Sequence, residues 1–175
     1  MQRATGETMN PKTIYLAGPD VFKPDFAAIR ERLKTLCRAA GFVPLSPADG
    51  DPIECDASEL SKQIYLQNIA HIDNADIVMA NLENFRGYEP DSGTVFEIGY
   101  AIGRGKTVFC YNVPAISLIE QIPCDQAHKD RDGNAVEDFG WPRNLMLAHA
   151  CHFVNGDAQR CIEAIGEHCC AIRRD

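Results

Sequence analysis

Asp76–Tyr111 reads DIVMANLENFRGYEPDSGTVFEIGYAIGRGKTVFCY. Its first six residues, Asp76 to Asn81 (DIVMAN), are apolar through the middle and too short for a helix. A strand covered on both faces has this character. A polar loop follows, and the spacing then predicts a helix from about Thr94 to Arg104. Lys106–Tyr111 (KTVFCY) is a second buried strand. A strand, a crossover helix and a strand are the unit from which parallel sheets are built.

The flanks repeat this alternation. Thr13–Ala17 (TIYLA) is a strand that ends at Gly18-Pro19. Phe26, Ile29, Leu33, Leu36 and Cys37 have helical spacing over Phe26–Ala40, and Gly41 is a natural stop. Phe42–Leu45 is a strand, and Ser46–Ala57 a loop of Pro, Asp and Gly. Asp56 and Glu59 have capping-box spacing at the start of a helix reaching about Asn74. Ala115–Ile122 reads as helical, Pro123–Pro142 as a long loop, and residues 143–150 as one or two helical turns. Cys151–Val154 is a fifth strand and Ala158–Cys170 the closing helix. The expected fold is therefore α/β: a flavodoxin-like, five-stranded parallel sheet with helices on both faces. Such sheets bind ligands at the carboxyl ends of their strands, so the loops after strands one, three and four are expected to line the site. Residues 1–12 read as a disordered leader and 13–175 as a single domain.

Composition narrows the function. The net charge of −8 argues against a nucleic-acid backbone as partner, while leaving an uncharged nucleoside open. No stretch approaches a membrane span, and Met1–Lys12 lacks the apolar core of a signal peptide. The 8 cysteines form no C-x-x-C pair, and several lie in apolar runs. They read as free thiols of a cytoplasmic protein. Cys124 with His128, and His149 with Cys151 and His152, lack a second ligand pair at a supporting spacing, so no metal is expected.

Asn81–Arg104 carries the candidate chemistry. It combines Arg86, Glu89, Asp91 and Glu97 with small residues at Ser92, Gly93 and Gly99. Glu97 stands about one turn into the expected helix, where the positive N-terminus favours an ionised carboxylate. Its neighbours Val95, Phe96, Ile98 and Tyr100 are apolar or aromatic, and a carboxylate in that setting needs a partner or a task. Against this stands the plainer possibility that Asp91 caps the helix and Glu97 is a solvated charge. A positioned carboxylate is suited to glycosidic cleavage, because it can attack an anomeric carbon and form a covalent sugar intermediate.

Four segments, in order, resemble the nucleoside 2-deoxyribosyltransferase family: IYLAGPDVF (Ile14–Phe22), NIAHIDNADIVMANL (Asn68–Leu82), FRGYEPDSGTVFEIGYA (Phe85–Ala101) and FGWPRNLML (Phe139–Leu147). The combination looks closest to the purine-preferring, trypanosomatid-like branch. The resemblance implies transfer of 2-deoxyribose between nucleobases with net retention; that chemistry needs only carboxylates and hydrogen bonds, so no cofactor is expected. Glu97 would be the nucleophile, Tyr15, after the first strand, would orient it, and Asp91 would help hold the sugar. Asn144 would reach a neighbouring subunit's site and bind a sugar hydroxyl, which makes the protein a homo-oligomer with shared sites. Asn68, Gly18, Arg86 and Gly93 would complete the substrate-binding set. Some members carry an aspartate where this chain has Asn68, so the group that protonates the leaving base stays unassigned. The AIRRD tail (Ala171–Asp175) receives no role. Two other readings use the same scaffold: an N-glycoside hydrolase of nucleosides or nucleotides, and a non-catalytic nucleoside sensor.

Overall fold

The structure, a computed structural model, describes residues 10–47, 49–50 and 56–172. Most of the expected leader, residues 1–9, lies outside the described residues, as does part of the loop before the second long helix. The elements are β1 (Thr13–Ala17), α1 (Phe26–Ala39), β2 (Val43–Leu45), α2 (Ala57–Asn74), β3 (Ile77–Asn81), α3 (Ser92–Gly103), β4 (Thr107–Tyr111), α4 (Leu118–Gln121), α5 (Leu145–Ala150), β5 (His152–Phe153) and α6 (Ala158–Ile172). The five strands run parallel in the order β2-β1-β3-β4-β5. This is the expected flavodoxin-like α/β fold.

Strand alternation divides the core in two. Ile14, Leu16, Ile77, Met79, Phe109 and Tyr111 face α1 and α6, where Cys37, Cys161 and Ile165 meet them. Tyr15, Ala17, Val78, Ala80, Val108 and Cys110 face the opposite way, against Ile72 of α2, Ile98 of α3 and Leu147 of α5. Full burial of one large aliphatic side chain is worth roughly 1.5–3 kcal/mol. A register slip of one residue would exchange the two sets, so the pattern fixes the pairing. It also turns Tyr15 towards α2 and α3.

Several boundaries differ from expectation for local reasons. α3 begins at Ser92 rather than Thr94, because Asp91 accepts from the Thr94 backbone N–H at 2.9 Å and starts the helix two residues earlier. α4 begins at Leu118 rather than Ala115, because Glu120 accepts from the Ser117 backbone N–H at 2.9 Å and closes a capping box. Tyr15 is the third residue of β1 and does not follow it. β5 holds only two residues.

Candidate active site

A cleft of about 670 Å³ opens at the carboxyl end of the sheet. Gly18 and Phe22 border it after β1, Leu60, Ile64 and Asn68 of α2 form one wall, and Gly93 and Glu97 of α3 form another. The expectation about loops needs correction. Loops after β1 and β3 line the cleft, but Asp49 and Gly50, after β2, replace the loop after β4. Gln67 of α2 donates to the Asp49 carbonyl, which holds this loop against the α2 wall of the cleft. Gly18 is dictated by contact, since a Cβ there would stand 2.9 Å from the Asn81 Cβ. A Cβ at Gly93 would lie 3.0 Å from the Asp91 carboxylate.

Glu97 and Tyr15, 82 positions apart, meet in this cleft: the Tyr15 hydroxyl donates to Glu97 Oε1 at 2.7 Å. Asn68 Nδ2 approaches the same oxygen at 3.4 Å. Among the described residues no donor meets Glu97 Oε2. Both donors thus hold one oxygen and leave the other for a ligand. Asn68 Oδ1 is also buried without a partner among the described residues. Tyr15 is fully buried, and burial, together with the Glu97 charge, pushes its hydroxyl far above its ordinary range. It therefore remains a donor throughout the working pH range.

The charge state of Glu97 departs from the sequence argument. Its carboxyl is pushed up to about 7, chiefly by burial; the Tyr15 hydrogen bond opposes the shift and the Asp91 charge adds to it. With α3 starting at Ser92, Glu97 is its sixth residue, beyond the first turn where the helix dipole acts strongly. No Lys or Arg forms an ion pair with Glu97 or Asp91 among the described residues. Asp91 spends one oxygen on Thr94, at 2.9 Å to the backbone N–H and 3.0 Å to the hydroxyl. Capping and lining the cleft are therefore compatible roles for one side chain.

The remaining expected residues are less central within the chain. Arg86 is not among the residues that line the cleft; its guanidinium lies 4.7 Å from the Phe85 ring centre and 5.5 Å from that of Phe22, which does line it. Asn144 caps α5, accepting from the Met146 N–H at 3.0 Å and donating to Glu137. It faces a second groove with Ser92, Val95 and Gly99, on the opposite flank of α3 from Glu97. A single chain does not bring Asn144 and Glu97 together. Asp49 was not singled out from sequence; it lines the cleft and is ion-paired with the buried Lys34. No group of three or more His, Cys, Asp or Glu among the described residues is arranged to hold a metal.

The family profile described as nucleoside 2-deoxyribosyltransferase matches residues 14–146. The chain belongs to the nucleoside 2-deoxyribosyltransferase family. A 2-desoxiribosyltransferase from Leishmania mexicana is 36% identical, with 90% of this chain and 99% of that one covered and a TM-score of 0.76. A conserved protein from Enterococcus faecalis, 20% identical over 90% of this chain and 99% of that one with a TM-score of 0.60, shares the fold. An uncharacterized protein of Schizosaccharomyces pombe is 33% identical over 97 residues, or 53% of this chain. The alignment spans about half, 46%, of that relative's length. The family match covers Tyr15, Asn68, Asp91, Glu97 and Asn144 alike.

Proposed function

We propose that this protein is an enzyme that moves 2-deoxyribose between nucleobases, with purines favoured, through a covalent glycosyl-Glu97 intermediate and net retention. The observation that carries the proposal is the Tyr15–Glu97 pair: one carboxylate oxygen is bound at 2.7 Å and the other is left open to the cleft. In the first displacement Glu97 Oε2 bonds to the anomeric carbon as the carbon–nitrogen bond breaks, and the departing base takes up a proton. In the second, an acceptor base displaces the carboxylate and loses its proton. Two inversions give retention. The ionised form of Glu97 attacks, so its position near 7 tunes the nucleophile to neutral pH. Asp91 lies beside the sugar, and Asn68, an amide, supplies hydrogen bonds rather than the proton. A purine suits a cleft of about 670 Å³ with apolar walls at Phe22, Leu60 and Ile64.

The working form is a cytoplasmic homo-oligomer in which Asn144 serves a neighbour's site. Two exposed apolar areas support this: Phe139, Trp141 and Met146 near Asn144, and Tyr65 and Phe96 beside the Glu97 cleft. Mixing inactive Glu97→Ala and Asn144→Ala proteins under confirmed subunit exchange should restore part of the activity; activity no higher than that of the separate variants removes the shared site. The reaction itself is tested with 2′-deoxyinosine, with and without adenine. New 2′-deoxyadenosine supports transfer. Hypoxanthine release without adenine incorporation would instead make the protein a hydrolase, and no release of either kind would leave the sensor reading.

A further inference from the structure

Among the described residues Arg143 is the largest side chain with no solvent exposure. No carboxylate among the described residues is bonded to it, which is unusual for a buried charge. Instead, all its N–H donors meet neutral oxygens. Nε and Nη2 donate to the Leu82 carbonyl at 3.2 and 2.6 Å, and Nη2 also reaches Asn84 Oδ1 at 2.6 Å. Nη1 donates to the Tyr88 carbonyl at 2.7 Å and approaches Gln121 Oε1 at 3.5 Å. Burial pulls the guanidinium below its ordinary range, and the Glu89 charge opposes that pull.

Leu82, Asn84 and Tyr88 all belong to the segment between β3 and α3. That segment is held internally by one backbone bond, from the Phe85 N–H to the Glu89 carbonyl at 2.9 Å, and Arg86 adopts a left-handed backbone with φ of 54°. It ends at Asp91, the cap of the helix that carries Glu97. Arg143 clamps it from 55 to 61 positions away in the chain. The clamp is itself anchored, since the Pro142 carbonyl accepts from Gln121 Nε2 at 2.9 Å and the Trp141 carbonyl from the Leu118 N–H at 2.8 Å. A planar fork of five donors fixes several acceptors at once, and a lysine ammonium does not reproduce that geometry.

We propose that Arg143 is a positioning residue: it sets the β3–α3 loop so that Asp91 and the start of α3 stand in register with Glu97 and Tyr15. Arg143 adjoins Asn144, so one short segment fixes its own site's loop and carries the side chain offered to a neighbour. The role rests on the deoxyribosyl-transfer reading for its activity readout, but not for its structural one. The groups facing Glu97 are Tyr15 of β1, with the His71 ring of α2 beside it, Asn68 of α2, and Asp91 at the start of α3. A slack loop withdraws the Asp91 charge and admits water, and both changes lower the pH at which Glu97 ionises.

The test compares wild type with Arg143→Lys and, as a milder change on the loop side, Asn84→Ala. Base exchange is followed across pH, and amide hydrogen exchange is followed over residues 82–91. For Arg143→Lys we expect kcat to fall about 10- to 100-fold, as sub-ångström misplacement of reacting groups does. The acid limb should move to lower pH, and amide protection over the loop should fall. Asn84→Ala should move all three the same way by less. Partial unfolding alone would lower activity without moving the acid limb. If Arg143→Lys does not fold, Asn84→Ala alone decides. Unchanged kcat, acid limb and loop protection in the folded variant overturn the inference. Wild-type protein that exchanges no base would defeat the transfer reading instead, and loop protection would still show whether Arg143 holds the segment.

Discussion

Two polar clusters stand at the same edge of the sheet, built from the same kinds of residue. In one, Asp20 is bound by Lys23 at 2.9 Å and by Asn81 Nδ2 at 3.2 Å, and Lys23 also meets Glu83 at 2.8 Å. Asn81 Oδ1 takes the Glu83 N–H at 3.2 Å and Asn112 Nδ2 at 3.1 Å. Every carboxylate there shares a cation. In the other, among the described residues, Glu97 and Asp91 share none and Glu97 keeps one oxygen unbound, and its carboxyl is pushed up to about 7. The first cluster has spent its hydrogen-bonding capacity on holding loops together. The second has kept some in reserve, which is what a site for a ligand requires.

Replacing the reserved group should separate the clusters most sharply. Glu97→Gln is expected to cut base exchange by about three orders of magnitude or more while leaving the circular dichroism spectrum unchanged. Near-normal exchange by this variant, followed by chromatography, would mean that the unspent oxygen is not the nucleophile.

Tyr15→Phe should cost about 10- to 100-fold in kcat, because one oriented hydrogen bond to the reacting carboxylate is lost. Since that bond pulls the Glu97 carboxyl down, its loss should move the acid limb of kcat/KM to higher pH. Arg143→Lys should move the limb the other way, so the pair separates donation from loop placement. In wild type the limb should fall near pH 7, with the rate dropping as pH is lowered; a limb near the ordinary carboxylate range would show Glu97 to be better hydrated than its burial indicates.

Stability gives a quieter contrast. The folded-state value of Glu97 lies above its unfolded one, so the folded protein binds the extra proton between about 4.5 and 7. Stability is lost as pH rises through that window. Glu97→Gln should therefore raise Tm by a few degrees at pH 8 and leave it unchanged at pH 4. A Tm gap independent of pH would trace the effect to packing.

The smallest effect on rate is expected in the satisfied cluster. Lys23→Met leaves Asp20 with Asn81 alone and removes the ion pair of Glu83, and should cost about 0.5–1 kcal/mol of stability, read by urea denaturation, with exchange within about twofold of wild type. A large loss of activity at unchanged stability would show that the two clusters are functionally joined.

The sheet was legible because buried parallel strands are written as short apolar runs, and DIVMAN and KTVFCY stand out against their polar flanks. The family was legible too, since its motifs are local in sequence. Helix starts were less so: whether Asp91 or a later residue caps α3 depends on one hydrogen bond of 2.9 Å, which spacing alone leaves open. The state of Glu97 was out of reach. A helix-terminus argument favours ionisation, and only the packing of Tyr15 and α2 around the carboxyl reveals that burial prevails. Arg143 was invisible in its role for the same reason. A lone arginine between Pro142 and Asn144 gives no sign that it reaches carbonyls across the sheet edge. Local pattern encodes the elements because helices and strands satisfy their own backbones. Sites are made where distant elements meet, and burial and hydrogen-bond geometry there are properties of the assembled fold.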